Sequence, residues 1–106
     1  MPKFLVEATY SADGHKGLAK DKGSGRKAAI TQAVKKLGGK LEAMYFCLGE
    51  FDVVLICEMP DHLSAMAIGN AACATGLART KTTMLLTVAE ADEALGKTVA
   101  YRAPGA

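Results

Sequence analysis

Two alternating segments separated by only two residues constrain the fold most. Residues 41–48 and 51–58 each repeat apolar side chains with the period of a β-strand. Gly49 begins the short connection between them, and glycine at the first central position of a two-residue loop favours a type II′ turn. We therefore predict an antiparallel hairpin in which Cys47 pairs with Asp52 and the pairing continues outward without interruption.

This pairing sorts the side chains of the hairpin between two sheet faces. One face carries Leu48, Phe51, Phe46, Val53, Met44 and Leu55, with Glu42 and Cys57 at its far end. The other face carries Cys47, Asp52, Tyr45, Val54, Ala43, Ile56, Leu41 and Glu58. Since both faces hold buriable side chains, both are expected to need cover.

One strand and one helix are predicted before the hairpin. Residues 3–10 alternate as a strand. The glycine- and lysine-rich stretch 15–25 is predicted to be irregular, with the helix beginning near Ser24 as its N-cap and ending at Gly38 and Gly39. Its apolar stripe is formed by Ala29, Ile30, Ala33, Val34 and Leu37.

A second helix and a fourth strand follow. Asp61 is the predicted N-cap and Gly76 the end of the helix, and residues 78–87 alternate as a strand. The inward stripe of this helix is predicted to be Leu63, Met66, Ala67, Ala71 and Ala74. Thr87 and Glu90 match a capping box that opens a short terminal helix reaching about Leu95.

The order β-α-β-β-α-β predicts an α+β, ferredoxin-like fold, with two helices on one face of an antiparallel sheet. Residues 1–97 are predicted to form this single domain, and residues 98–106 a flexible tail. The other sheet face is left uncovered, and apolar side chains in water are unfavourable in proportion to their exposed area. We therefore predict that the chain's partner is itself, in a homodimer or a higher homo-oligomer.

Charge is concentrated in one part of the chain. Residues 16–40 contain eight Lys and Arg residues and one acid, although the net charge of the 106 residues is only +2. A solvated helix surface explains this pattern, and an anion-binding or nucleic-acid-binding surface is the functional alternative. The stretch contains no aromatic side chain to interleave with its basic groups, which argues against nucleic acid.

The N-terminus and the most apolar segment predict a cytoplasmic protein with no membrane partner. Met1, Pro2 and Lys3 lead directly into a strand pattern, unlike a secretory signal. Residues 63–78 are apolar but fall short of the roughly 20 residues that span a bilayer.

Cysteine and histidine spacing predicts no metal and no cofactor. Cys47, Cys57 and Cys73 form no CxxC pair and are expected to be buried free thiols. His15 and His62 are too far apart in sequence for a short metal-binding motif.

The stretch 23–28 (GSGRKA) matches the dinucleotide fingerprint GxGxxA, but no strand precedes it. We therefore expect at most weak anion binding by Arg26 and Lys27 at the helix start.

Residues 38–45 (GGKLEAMY), followed by 49–54 (GEFDVV), resemble the GYD-domain family, which is named for a Gly-x-Tyr-Asp signature. Phe51 stands where tyrosine is usual, so the ring is kept and the hydroxyl is lost. The resemblance covers about residues 3–95. It implies a ferredoxin-like fold similar to the dimeric α/β-barrel proteins, and it brings no established activity.

Two sets of candidate site residues follow from these predictions. Glu7, Thr9, Tyr45 and Thr87 could supply polar groups to a ligand pocket on the uncovered sheet face, or belong to a dimer interface or to loops, and Arg26 could bind an anion. The catalytic candidates are His15 on the loop after the first strand, Tyr45 and Asp52. Asp52 is also expected to accept hydrogen bonds from turn or loop amides.

The preferred functional hypothesis is a non-catalytic, oligomeric binding or regulatory module that holds a small apolar or anionic molecule at the uncovered sheet face. The alternative is a cofactor-independent enzyme of the dimeric α/β-barrel type, an oxygenase or isomerase for a small apolar substrate. In that case His15, Tyr45 or Asp52 would provide acid–base catalysis.

Overall fold

The computed structural model describes residues 1–106 and contains one four-stranded antiparallel sheet and three helices. The elements are β1 (Lys3–Tyr10), α1 (Ala12–Lys36), β2 (Lys40–Phe46), β3 (Val53–Glu58), α2 (His62–Ala74), β4 (Ala78–Leu85) and α3 (Val88–Leu95). The strands are ordered β2-β3-β1-β4, and every neighbouring pair is antiparallel. This arrangement confirms the predicted ferredoxin-like α+β fold.

The predicted register of β2 and β3 holds from Phe46 to Ala43. A bulge at Glu42 then brings Leu41 opposite Cys57, because one extra residue on β2 reverses the alternation of side chains beyond it. Leu41 therefore packs against the core on the helix side of the sheet. Its predicted position on the other face was wrong.

The connection between these two strands is longer than predicted. Residues 47–52 lie outside both strands, and the Cys47 N–H donates to the carbonyl oxygen of Asp52 at 2.8 Å. A type II′ turn requires a positive φ at its first central residue. Gly49 does not have one, so the predicted type II′ turn was wrong.

Helix α1 begins well before the predicted start. Ser11 is the N-cap, with its hydroxyl accepting a hydrogen bond from the Gly14 N–H at 3.1 Å. The prediction of an irregular stretch over 15–25 was wrong, because the chain is helical from Ala12 up to a break at Lys22. A second helical segment follows this break, close to the predicted start at Ser24. Gly14 is a packing residue rather than a helix breaker, since a Cβ atom there would clash with the carbonyl oxygen of Leu77.

Helix α1 is kinked at Lys22, whose φ of 65° and ψ of 171° are non-helical. Gly23 follows the kink and lies against the ring of Phe46, which a Cβ atom at Gly23 would approach to 3.0 Å. The backbone conformation of Lys22 belongs to a region that is almost restricted to glycine. The kink therefore places a strained residue in the middle of α1.

The other predicted helix termini are confirmed. Gly38 has a φ of 83°, and the N–H groups of Gly38 and Gly39 donate to the carbonyls of Lys35 and Val34 at 3.0 Å, which is a Schellman motif. Asp61 caps α2 by accepting from the Ser64 N–H at 2.8 Å. The capping box of α3 is formed as predicted by Thr87 and Glu90, and Gly76 has a φ of 74° just after α2.

The predicted inward stripe of α2 was wrong. Leu63 and Met66 are 67% and 74% exposed, whereas Ala65 is buried. The other half-buried residues that face the body of the protein include Ile68, Gly69 and Ala72. Because apolar residues surround α2 on all sides, their spacing does not define which side faces inward.

The hydrophobic core fills only one end of the space between the helices and the sheet. Its buried cluster consists of Phe4, Val34, Leu55, Cys57, Met59 and Ala65. Helix α1 packs mainly against β2 and helix α2 against β4, which are the two edge strands. The middle of the sheet is therefore covered less completely than its edges.

The terminal helix α3 extends the molecule. The radius of gyration is 16.9 Å, compared with about 13 Å for a compact domain of this length. Leu95 on α3 is 84% exposed, and residues 97–106 contain neither helix nor strand. No helix in the chain combines the length and apolar character required to cross a membrane.

Replacing Lys22 by glycine should stabilise the protein. Glycine adopts the observed backbone angles without strain, so Lys22→Gly should increase the free energy of unfolding by about 1 kcal/mol, even after the entropy cost of glycine. Urea denaturation followed by circular dichroism measures the change. Lys20→Gly, at an exposed helical position two residues earlier, is the matched control and should lose about 1 kcal/mol. Equal losses in both variants would contradict the strained kink.

Candidate functional site

An apolar cavity of about 300 Å³, open to solvent on the helix side, lies between α1, α2 and the middle of the sheet. Its floor includes Val6, Ala8, Val53 and Leu55 from β1 and β3. Five of the residues that the helices contribute to the lining are alanine or glycine: Ala29 and Ala33 from α1, and Gly69, Ala71 and Ala72 from α2. Because these side chains are short, they leave the space above the central strands unfilled.

Arg26 is the charged residue in the lining of this cavity. Its Nη1 atom lies 3.5 Å from Oδ2 of Asp21 on the same helix. Its Nε atom is buried and has no hydrogen-bond partner. A buried donor without an acceptor is unfavourable and is uncommon in proteins, so this atom marks a place where an acceptor is missing.

The remaining polar groups in the cavity are few. Tyr10, Thr80 and Thr82 contribute hydroxyl groups, and Cys57 contributes a buried thiol. Burial raises the pKa of the Cys57 thiol, which keeps it protonated at neutral pH. Cys57 is therefore suited to packing rather than to nucleophilic chemistry.

Only one of the three cysteines is buried, although all three are free. Cys47 is half-buried at the end of β2, and Cys73 on α2 is exposed, so the expectation of three buried thiols was wrong. The Cys73 sulfur lies 3.4 Å from the hydroxyl of Thr80. This hydrogen bond lowers the pKa of the Cys73 thiol below its usual value.

Two of the catalytic candidates come together beside the cavity. Oδ2 of Asp52 accepts a hydrogen bond from the Tyr10 backbone N–H at 2.8 Å and lies 3.4 Å from Nε2 of His15. The ring of Tyr10 packs edge-on against His15, with 5.8 Å between ring centroids. Tyr10 lines the cavity, whereas His15 and Asp52 do not, so the pair adjoins the cavity through Tyr10.

His15 lies in the first turn of α1, although it was predicted to lie on a loop. Asp52 has the predicted role of accepting a backbone hydrogen bond, and its donor is a residue of β1 rather than of the turn. Tyr45 does not join this pair. It lies on the sheet face opposite the helices and is 69% exposed.

Four polar residues were predicted to converge on the open sheet face. Glu7, Thr9 and Tyr45 lie on that face, and Thr87 does not. The strand register places Glu7 between Val54 and Lys81, and Thr9 opposite Arg79. Thr87 lies outside the sheet, because β4 ends at Leu85, and its hydroxyl accepts from the Glu90 N–H to cap α3.

Sequence reasoning placed a ligand pocket on the open face and missed the cavity on the helix side. The available signal was the small size of the residues at helical spacing, such as Ala29, Ala33 and Ala72. Ala29 and Ala33 were interpreted only as core positions, and Ala72 was not included in the predicted inward stripe of α2. No three histidine, cysteine or acidic side chains lie close enough together to hold a metal ion.

The fold and the cavity define a small ferredoxin-like α+β domain with an apolar space between its helices and its sheet. The model of the GYD domain matches residues 4–95, and the chain therefore belongs to the GYD-domain family. No curated protein and no solved structure matches the chain. Asp52, the last residue of the stretch that resembles the family signature, is the residue that ties the hairpin loop to Tyr10.

Removing the Asp52 carboxylate should destabilise the protein. Asp52→Ala leaves the partly buried Tyr10 N–H without its side-chain acceptor and should lower the free energy of unfolding by about 2 kcal/mol. Asp52→Asn retains an oxygen acceptor and should lose only about 1 kcal/mol. Chemical denaturation of both variants measures the difference. An Asp52→Ala protein as stable as the wild type would show that this contact does not hold the loop.

Proposed function

We propose that the chain is a self-associating, small-molecule-binding module of the GYD-domain type. It works as a homodimer or a higher homo-oligomer and holds its ligand on the helix side of the sheet. The observation that carries the proposal is that the two faces of the sheet have different surroundings. One face lines the cavity beneath the helices, and no element packs extensively against the other.

The open face has an apolar centre and charged edges. Leu5 lies beside Ile56 in the centre, and Val54 is one pair further along β3. At one end, Lys3 contacts Glu42 at 2.9 Å, and the interaction with that carboxylate raises the pKa of Lys3. An apolar centre within a polar rim is the usual anatomy of a protein interface.

The charges on the open face suit pairing with an identical face. Glu7 is directly opposite Lys81 in the sheet, so the surface presents a carboxylate and an ammonium group side by side. In a two-fold symmetric dimer each copy supplies the same patch, and a patch that carries both signs can be self-complementary. The open face therefore fits a second copy of this chain better than a partner of one charge sign.

Association through the open face would leave the cavity free, because the two lie on opposite sides of the sheet. This differs from the hypothesis that the ligand lies at the uncovered sheet face. The helix side offers a concave apolar space with few polar groups, which is the usual form of a small-molecule site. We accordingly assign association to the open face and binding to the helix side.

The alternative of a cofactor-independent oxygenase or isomerase has one supporting contact, the approach of His15 to Asp52 at 3.4 Å. A carboxylate can orient an imidazole for acid–base catalysis. Neither side chain lines the apolar cavity, and Tyr45 lies on the other sheet face. A binding module is therefore the better supported function.

A charge in the centre of the open face should prevent association. We expect wild-type protein to sediment as a dimer or larger species at micromolar concentration. Ile56→Lys should sediment as a monomer with an unchanged circular dichroism spectrum, because burying an ammonium group in an apolar interface is unfavourable. Leu63→Lys, on the exposed side of α2, is the control and should associate like the wild type.

Analytical ultracentrifugation of the three proteins decides between the outcomes. A wild-type protein that remains monomeric at micromolar concentration would overturn self-association. An Ile56→Lys variant that remains fully associated would overturn the assignment of the interface to the open face.

A further inference from the structure

We propose that the cavity between α1 and α2 binds a small apolar molecule with one anionic group, and that Arg26 holds the anion. This inference rests on the proposed function as a binding module and names the chemical class of the ligand. Its structural basis is the single guanidinium group at the edge of an otherwise apolar space.

The cavity determines the apolar part of the ligand. Fourteen of its 18 lining residues are hydrophobic, and its volume is about 300 Å³. Small-molecule sites commonly have volumes of about 300–1,000 Å³, so this space suits a compact molecule with a hydrocarbon or aromatic body. Side chains of α1, α2, β1 and β3 contact such a body from both walls and from the floor.

Arg26 determines which polar group the ligand carries. Its buried Nε–H has no acceptor in the protein, while Nη1 is already 3.5 Å from Asp21. A carboxylate or sulfonate in the cavity would pair with the accessible part of the guanidinium group, since the Arg26 side chain is 34% exposed. Hydrogen bonds between charged groups are stronger than those between neutral groups.

The other residues around the cavity do not oppose an anion. No acidic side chain lines it, and its remaining polar side chains, Tyr10, Thr80 and Thr82, can donate hydrogen bonds. Asp21 offsets part of the charge of Arg26, but Lys22 and Lys27 lie on the same stretch of α1, so this part of the helix keeps a net positive charge. A concentration of like charge raises the local concentration of ligands of the opposite sign. A cation would find no carboxylate in the lining.

The test compares two probes that share an eight-carbon chain and differ in the head group, the anionic octanoate and the neutral 1-octanol. The chain has three isoleucines, and two of them, Ile30 and Ile68, line the cavity, whereas Ile56 is on the open sheet face. Titration of isoleucine-methyl-labelled protein, followed by two-dimensional NMR, therefore reports which face is occupied. We expect octanoate to shift the signals of Ile30 and Ile68 and to leave Ile56 unchanged. Octanol should bind at the same place at least about tenfold more weakly.

Three variants separate charge from shape. Arg26→Gln should weaken octanoate binding at least about tenfold and leave octanol binding unchanged. Ala72→Leu fills the cavity and should abolish the binding of both probes. Ala67→Leu, the same substitution on the same helix at an exposed position outside the cavity lining, should bind both probes like the wild type.

The inference is overturned if millimolar octanoate shifts neither Ile30 nor Ile68, or if only Ile56 responds. Equal affinity for octanoate and octanol, or an Arg26→Gln variant that binds octanoate normally, overturns the role of Arg26. Sedimentation of the same samples separates this result from that of self-association. A dimer that binds no octanoate contradicts the cavity site alone, and a monomer that binds it at Ile30 and Ile68 contradicts the dimer alone.

Discussion

The separation of the two main helices governs the rest of this structure. Helix α1 lies over β2 and helix α2 over β4, at opposite edges of the sheet, and alanine and glycine make up about half of the residues that they present towards the middle. Large side chains close the gap only at the end occupied by Phe4 and Met59. The cavity is a direct consequence, because short side chains on helices held by the sheet edges cannot meet over the central strands.

The interior strand β1 carries residues that belong to the cavity, to the open face and to the contact with the hairpin loop. Val6 and Ala8 form part of the cavity floor, while Leu5 and Glu7 alternate onto the open face. At the end of the strand, Tyr10 lines the cavity and its backbone N–H binds Asp52. The hairpin loop, the start of α1 and the cavity wall are thus coupled within a few residues. This gives Asp52 a structural role in this chain.

Local sequence signals predicted much of the fold. The strand pattern, the caps at Asp61 and Thr87 and the helix end at Gly38 depend on neighbouring residues, so the sequence contains what is needed to infer them. The start of α1 was not predicted, because Gly14 is present for close packing against Leu77, which is distant in sequence. The contact between His15 and Asp52 also joins residues that are distant in sequence, so local signals did not predict it. The cavity was missed since periodicity shows which residues face inward and does not show whether they fill the space.

The central claim is that an unfilled apolar space exists between α1 and α2. A crystal structure determined under xenon pressure tests it most directly, because xenon enters apolar cavities and scatters strongly. We predict xenon density between Ile30 and Ile68, above the central strands. Direct contact between the two helices, with no xenon at this position, would contradict the account.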